Sequence, residues 1–190
     1  VDVAPQAGLN VFGTAGGGIV DDLSGSGRLD VLTSNFYSCG PLHYFVNNGD
    51  GTFTNRSAAA GLGNQLGGLN VIQTDYNNDG CKDVLVIRGG WETAQRNSLL
   101  RNSCHGTFTD VTAASGLARP ATSTQTAVWI DIDNDGLLDL FVGNEDTTSQ
   151  LFLNKGDGRF ERVSWDEAMN DIAGRIRKAL LDKRPNDIMY

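Results

Sequence analysis

Several ingredients are scarce in this chain of 190 residues. No apolar run approaches the roughly 20 residues that a membrane-spanning helix needs. Positive charge is short: 15 Lys and Arg stand against 23 Asp and Glu, a formal net charge of −8. That balance argues against a nucleic-acid surface and disfavours anionic lipid heads. Only two histidines are present, His43 and His105, and neither has a Ser or Cys nucleophile motif beside it. No catalytic residue is therefore assigned. The three cysteines, Cys39, Cys81 and Cys104, match no zinc or iron–sulfur spacing. One disulfide can form in an oxidising compartment, with Cys81–Cys104 preferred because both fall in one repeat. Four prolines against 24 glycines suggest many tight turns rather than long helices. No signal peptide is visible and the chain opens on Val1, which implies a processed chain or a piece of something longer.

What the chain does have is a recurring acidic loop. Asp131-Ile-Asp-Asn-Asp-Gly-Leu-Leu-Asp139 places carboxylates at positions 1, 3, 5 and 9 and Gly136 at position 6. Alternate spacing in a tight turn lets those oxygens converge, and glycine supplies a backbone angle that residues with a Cβ avoid. Converging carboxylates repel unless a hard cation sits among them, and Ca2+ is the natural candidate. The loop recurs as Asp75, Asn77, Asp79, Gly80 and Asp83, and again in weakened form as Asp22, Ser24, Ser26, Gly27 and Asp30. In each copy the backbone carbonyl at position 7, from Arg28, Cys81 or Leu137, is a further candidate ligand. Position 12 is Val86 or Val142, inside an apolar run, where an EF-hand would carry a bidentate Glu. The site expected is therefore strand–loop–strand. Affinity should fall from the third loop to the second to the first, because charge count helps set it.

The loops punctuate a repeat of roughly 55 residues. Short apolar runs lead into each loop (Gly18–Val20, Asn70–Ile72, Ala127–Ile130) and out of it (Val31–Thr33, Val84–Ile87, Leu140–Val142). A third run follows, ending at Asn47, Asn102 or Asn154, and then a turn and a Phe: Phe53, Phe108 or Phe160. Such runs bounded by Gly, Asn and Asp read as strands and hairpins. The fold class expected is all-β: three four-stranded propeller-like blades, an incomplete β-propeller, with one C-terminal α-helix. The repeats cover about 1–54, 55–109 and 110–163, and 164–190 is a non-repeat tail. Recurrent Phe and Leu residues should fill the space between blades. Tyr37 and Trp91 are expected in core or blade-edge packing. In the tail, Ser164-Trp-Asp-Glu167 is a capping box. Trp165, Ala168, Met169, Ile172, Ala173, Ile176, Ala179 and Leu180 recur at helical spacing. Pro185 should stop the helix, and Ile188–Tyr190 could begin a strand.

The three loops, best in Asp131-Ile-Asp-Asn-Asp-Gly-Leu-Leu-Asp-Leu-Phe-Val-Gly143, resemble the FG-GAP or VCBS-type repeats of integrin α-chain propellers and bacterial extracellular proteins. The resemblance covers residues 1–163. It implies calcium-stapled blades, an extracellular or periplasmic location and a role in adhesion, recognition or scaffolding. The implied partner is a protein or carbohydrate ligand. Three blades do not make a ring, so further blades or self-association cover the open faces, or the chain stays an open stack with those faces exposed. Residues 158–190, with Arg159-Phe-Glu-Arg-Val-Ser-Trp-Asp-Glu-Ala168 and Pro185–Ile188, resemble a segment near the N-terminus of molybdopterin-dependent oxidoreductases. The iron–sulfur cysteines and molybdenum ligand of that family have no counterpart here. The reading adopted is a calcium-binding repeat module with a structural or extracellular recognition or adhesion role; the alternative is a fragment or fusion partner of such an oxidoreductase.

Overall fold

The structure is a computed structural model that describes residues 1–37, 39–118 and 120–184. The strands come in three consecutive sets of four. They are β1 (Ala15–Asp21), β2 (Asp30–Asn35), β3 (His43–Asn47) and β4 (Phe53–Asn55); β5 (Asn70–Thr74), β6 (Asp83–Ile87), β7 (Ser98–Asn102) and β8 (Phe108–Asp110); β9 (Thr124–Ile130), β10 (Asp139–Asn144), β11 (Gln150–Asn154) and β12 (Phe160–Val163). Each set forms one antiparallel sheet in chain order, a simple meander. This is the all-β, propeller-like architecture expected, with three blades not closed into a ring.

The second blade shows how sequence becomes stacking. In β6 all five residues, Asp83-Val-Leu-Val-Ile, are buried. Successive side chains of a strand point to opposite faces. Val84 and Val86 enter the core shared with the first blade, beside Leu32, Tyr44 and Phe108. Leu85 and Ile87 enter the core shared with the third, beside Leu140, Phe152 and Phe160. A sheet buried on both faces therefore reads as a continuous apolar run rather than an alternating one. The innermost strands come closest: a Cβ on Gly17 of β1 would stand 1.9 Å from the Asn70 Oδ1 beside it. Glycine at this point of β1 is what lets the two blades meet.

The Ala-Gly-Leu or Ser-Gly-Leu segments before each blade repeat one contact. They comprise α1 (Ala4–Ala7) with Gly8, then Ala60–Leu62, then Ser115–Leu117. Gly8, Gly61 and Gly116 have φ of 76°, 82° and 79°. A Cβ there would stand 2.6, 2.7 and 2.8 Å from the carbonyl oxygens of Phe53, Phe108 and Phe160. Three repeats thus close onto their own fourth strand with the same geometry.

The tail forms α2 (Trp165–Leu181), and both halves of the Ser164–Glu167 capping box are made. It lies against the outer face of the third blade. Trp165 meets Phe141 edge-on at 6.2 Å and donates from Nε1 to the Ser149 carbonyl at 3.1 Å. A groove of about 390 Å³ separates Ala168 and Ile172 from Ile132, Leu151, Leu153 and Val163. The apolar stripe read from the sequence is wider than this contact. Met169 (58% exposed), Ile176 and Leu180 face solvent, and Ala179 is the buried residue of the helix. Their spacing is helical, but the sheet touches only one edge of the stripe. Pro185 and Ile188–Tyr190 lie outside the described residues.

The blade stacking has a direct consequence. Leu99, fully buried between the second and third blades, should on Leu99→Ala cost about 2–5 kcal/mol in urea unfolding. Val20→Ala, at an exposed site, should change stability by about 0.5 kcal/mol or less.

Candidate metal centres

Each β1–β2-type connection is an acidic loop, and the three share one hydrogen-bond scaffold. In the third loop the Asp131 carboxylate accepts from Asp135 N and Gly136 N at 3.1 and 3.0 Å. In the second, Asp75 accepts from Asp79 N and Gly80 N at 3.0 and 2.8 Å. In the first, Asp22 accepts from Ser26 N and Gly27 N at 2.9 and 2.7 Å. Position 1 therefore clasps the amides of positions 5 and 6. Gly27, Gly80 and Gly136 have φ of 77°, 89° and 85°, a left-handed conformation that glycine adopts without steric cost.

Position 9 does something different. Asp30, Asp83 and Asp139 are buried. Each accepts through Oδ1 from the amide of the Asn that ends the third strand: Asn47 (2.9 Å), Asn102 (2.8 Å) and Asn154 (2.8 Å). The side chains of two of these Asn residues then cross to the preceding blade. Asn102 Nδ2 donates to Leu23 O, and Asn154 Nδ2 to Tyr76 O, both at 2.8 Å. In the sequence these asparagines mark strand ends with no further role. Their recurrence just before each Gly-Asp-Gly or His-Gly turn was the available signal.

Oxygens of Asp131, Asp133 and Asp139 lie within 4.8 Å of one another, as do those of Asp75, Asp79 and Asp83. Asp135, predicted in the same group, lies outside that cluster and accepts from Leu137 N at 2.8 Å. Asn77 donates to Asp79 at 2.9 Å. Asp83 is 1% exposed, and its Oδ2 has no hydrogen-bond partner. Burial pushes its carboxyl up to about 7; the charges of Asp79 and Asp75 add to this, and the backbone amides of Asn102 and Tyr76 oppose it. Burial likewise raises Asp139 and Asp133, with neighbouring aspartates contributing. A buried, unpartnered carboxylate oxygen among like charges is costly without a cation. An all-oxygen donor set of this kind suits a hard cation such as Ca2+. The first loop brings two carboxylates and two hydroxyls, with Ser24 Oγ donating to Ser26 Oγ at 3.0 Å.

Position 7, whose carbonyl is the remaining candidate ligand, is anchored to its own blade's last hairpin in three ways. Arg28 Nε donates to Asn47 O at 3.0 Å. Cys81 is joined to Cys104 by a disulfide with a Cα–Cα distance of 5.1 Å. Leu137 Cδ1 rests 3.3 Å from where a Gly156 Cβ would stand. The disulfide removes Cys81 and Cys104 as thiolate ligands, although they lie near Asp79. Cys39 is free and exposed.

The other residues singled out lie elsewhere. His43 opens β3, and its Nε2 is buried with no partner; His105 sits in the β7–β8 turn. Tyr37 and Trp91 are not core residues: they are 55% and 65% exposed and gather around Phe36, with ring centroids 4.9 and 6.3 Å from it. Both stand on loops joining second and third strands, beyond the reach of the interblade cores.

Stacked four-stranded meanders, each with an acidic loop between its first two strands, define a repeat protein of the β-propeller class. The chain belongs to the FG-GAP-like repeat family, whose model matches residues 22–86, 75–142 and 131–176. It is similar to Cartilage acidic protein 1 of Homo sapiens, 34% identical over 147 residues, covering 75% of this chain and 21% of that protein. It is also similar to the Mus musculus protein of that name, 33% identical over 145 residues, covering 75% of this chain and 22% of that one. The chain thus spans about a fifth of the length of these relatives. A solved Agrocybe aegerita lectin structure, described as recognising non-reducing terminal N-acetylglucosamine, aligns with a TM-score of 0.51 and 20% identity over 86% of this chain and 42% of that chain. That likeness shows the fold alone. None of these similarities adds support to the molybdopterin-oxidoreductase resemblance of residues 158–190.

The raised carboxyls set a pH dependence. With calcium chelated, Asp83 binds a proton in the folded state between its unfolded value near 4 and about 7. Stability should therefore fall as pH rises through that window. Asp110, where the Thr112 hydroxyl and amide and Gln65 outweigh burial and hold the carboxyl low, acts below the window. Melting temperature followed by circular dichroism from pH 4 to 8 in chelator checks the sign.

Proposed function

We propose that the chain is a calcium-binding β-propeller repeat module with a structural or recognition role outside the cell. In this reading calcium fastens the loop between the first two strands of each blade. The observation that carries it is the buried Asp83, whose Oδ2 has no hydrogen-bond partner and whose carboxylate clusters with those of Asp75 and Asp79. Calcium would be held by Asp75, Asp79 and Asp83 in the second loop and by Asp131, Asp133 and Asp139 in the third. Asn77, Asp135 and the carbonyls of Cys81 and Leu137 complete the candidate sets, and charge count favours the third loop over the second. The first loop, with Asp22, Ser24, Ser26, Arg28 and Asp30, is the weakest.

The Cys81–Cys104 disulfide supports an oxidising, extracellular or periplasmic compartment, where calcium is abundant. The name of the relatives, Cartilage acidic protein 1, accords with the net charge of −8. A protein or carbohydrate partner, and further blades or a second copy against the open blade faces, fit a recognition module. The FG-GAP repeat sets the fold, and the partner is set by exposed loops.

Calorimetric titration of chelated protein with Ca2+ should give heat with a Kd of about 10⁻⁴–10⁻³ M, as in extracellular modules. At ten times Kd each site should add about 1.4 kcal/mol of stability. Asp131→Asn with Asp75→Asn should abolish most of the heat. A titration with neither heat nor a rise in melting temperature would refute the calcium reading.

A further inference from the structure

The β7–β8 turn that carries Cys104 is held to the second acidic loop at three adjacent points. Asn102 N donates to Asp83 Oδ1 at 2.8 Å, and Asn102 Nδ2 donates to Lys82 O at 3.1 Å. The third point is covalent, from Cys104 to Cys81. Cys81 is at position 7, whose carbonyl is a candidate ligand in the calcium reading. Its amide also donates to Asp79 Oδ1 at 2.9 Å. The same turn reaches the first loop, where Asn102 Nδ2 donates to Leu23 O and the Cys104 carbonyl packs on Gly25. Both cysteines are partly exposed, so a dissolved reductant can reach them.

We propose that Cys81–Cys104 is a reversible redox-modification site whose state sets the calcium affinity of the second loop, and that calcium bound there protects the disulfide from reduction. The inference rests on the calcium reading above. In the first and third loops position 7 leans on a hydrogen bond or a packing contact. Only the second loop ties this ligand to the neighbouring hairpin by a covalent bond, spanning 23 residues of chain. Breaking the bond releases position 7 into a wider set of conformations, and the cation must then gather the loop at greater entropic cost. Linkage makes the effect reciprocal: the factor by which reduction weakens calcium binding equals the factor by which calcium resists reduction.

The chemistry balances with a dithiol as reductant. Its thiolate attacks one sulfur and forms a mixed disulfide, and the other cysteine leaves as thiolate and takes up a proton. The second thiol of the reagent then displaces the remaining cysteine and closes a cyclic disulfide. Two electrons pass to the Cys81–Cys104 pair, and the dithiol is oxidised.

The test uses the full chain with Cys39→Ser, which removes the free thiol and prevents reshuffling. The protein is equilibrated in mixtures of reduced and oxidised dithiothreitol, with chelator or with saturating Ca2+. Free thiols are trapped by alkylation and located at Cys81 and Cys104 by mass spectrometry. Calcium should raise the reduced-to-oxidised reagent ratio at half-reduction by about tenfold. Calorimetry should show one class of sites weakened by the same factor in the reduced protein. Asp75→Asn, checked by its circular dichroism to be folded, should show little or no calcium shift. An unchanged ratio in protein that binds calcium, or a full shift retained in Asp75→Asn, overturns the linkage alone. Absence of calcium heat in the oxidised protein overturns both the linkage and the calcium reading.

Discussion

The aspartate at position 9 of each acidic loop is the joint on which the blades depend. Asp30, Asp83 and Asp139 each begin a second strand, yet each carboxylate reaches to the end of the third strand and accepts from an asparagine amide there. One buried side chain thus ties loop, second strand and third strand together. Its burial follows from the stacking of blades, and its cost follows from burial. That cost shows in the raised carboxyls of Asp83 and Asp139. The asparagines extend the joint outward: Asn102 grips the first loop through Leu23, and Asn154 grips the second through Tyr76. Loop, hairpin and neighbouring blade form one continuous hydrogen-bonded path.

The third loop stands at the end of that path. The carbonyls gripped in the earlier loops belong to Leu23 and Tyr76 at position 2, and their counterpart is in Ile132. There the neighbour is α2 rather than another blade, and Arg175 donates to the Asp133 carbonyl next in the chain. The same helix covers part of the sheet face that, in the second blade, is covered by the third. The cover is incomplete, since Val128 and Ile130 of β9 and the Met169 side of the helix stay exposed. The helix is well formed through its own cap and its Asp171–Arg175 pair. An exposed pair of this kind adds only a few tenths of a kcal/mol.

Much of this was legible in the sequence because it is local. A carboxylate at alternate positions with Gly at position 6 encodes a loop within nine residues, and Ser164–Glu167 encodes a helix start within four. Val84–Ile87 announced a strand, and its lack of alternation also held the information that both faces are covered. What was not legible depends on parts of the chain far apart. The asparagine side chains matter through partners 78 or 79 residues away. The exposure of Trp91 and Tyr37 depends on where two interstrand loops emerge from the stack, which hydrophobicity does not encode. Asp135 fits the spacing as well as Asp133 does, and spacing does not tell which of the two carboxylates joins Asp131 and Asp139. The apolar stripe of α2 is real, but periodicity cannot say how much of a stripe finds a surface.

The differences among the three loops then acquire a physical order. The first closes largely on its own protein groups. Its two serine hydroxyls bond to each other, and the Arg28 guanidinium spans to Asn47. Asp30 is further satisfied by Ser24 N and by the Tyr44 hydroxyl, at 2.8 and 3.0 Å. Burial, and then the charge of Asp30, raise the Tyr44 phenol above its ordinary value and keep it a donor. The second loop has no such hydroxyl on Asp83, whose Oδ2 is left over, and the third gathers Asp131, Asp133 and Asp139. Neutral donors have been exchanged for carboxylates from one repeat to the next. A loop that meets its own hydrogen-bonding needs can hold its shape with little help, whereas one that concentrates buried negative charge carries an electrostatic cost that a cation would offset. The repeat keeps its backbone across all three copies, and what varies is how much negative charge each copy gathers.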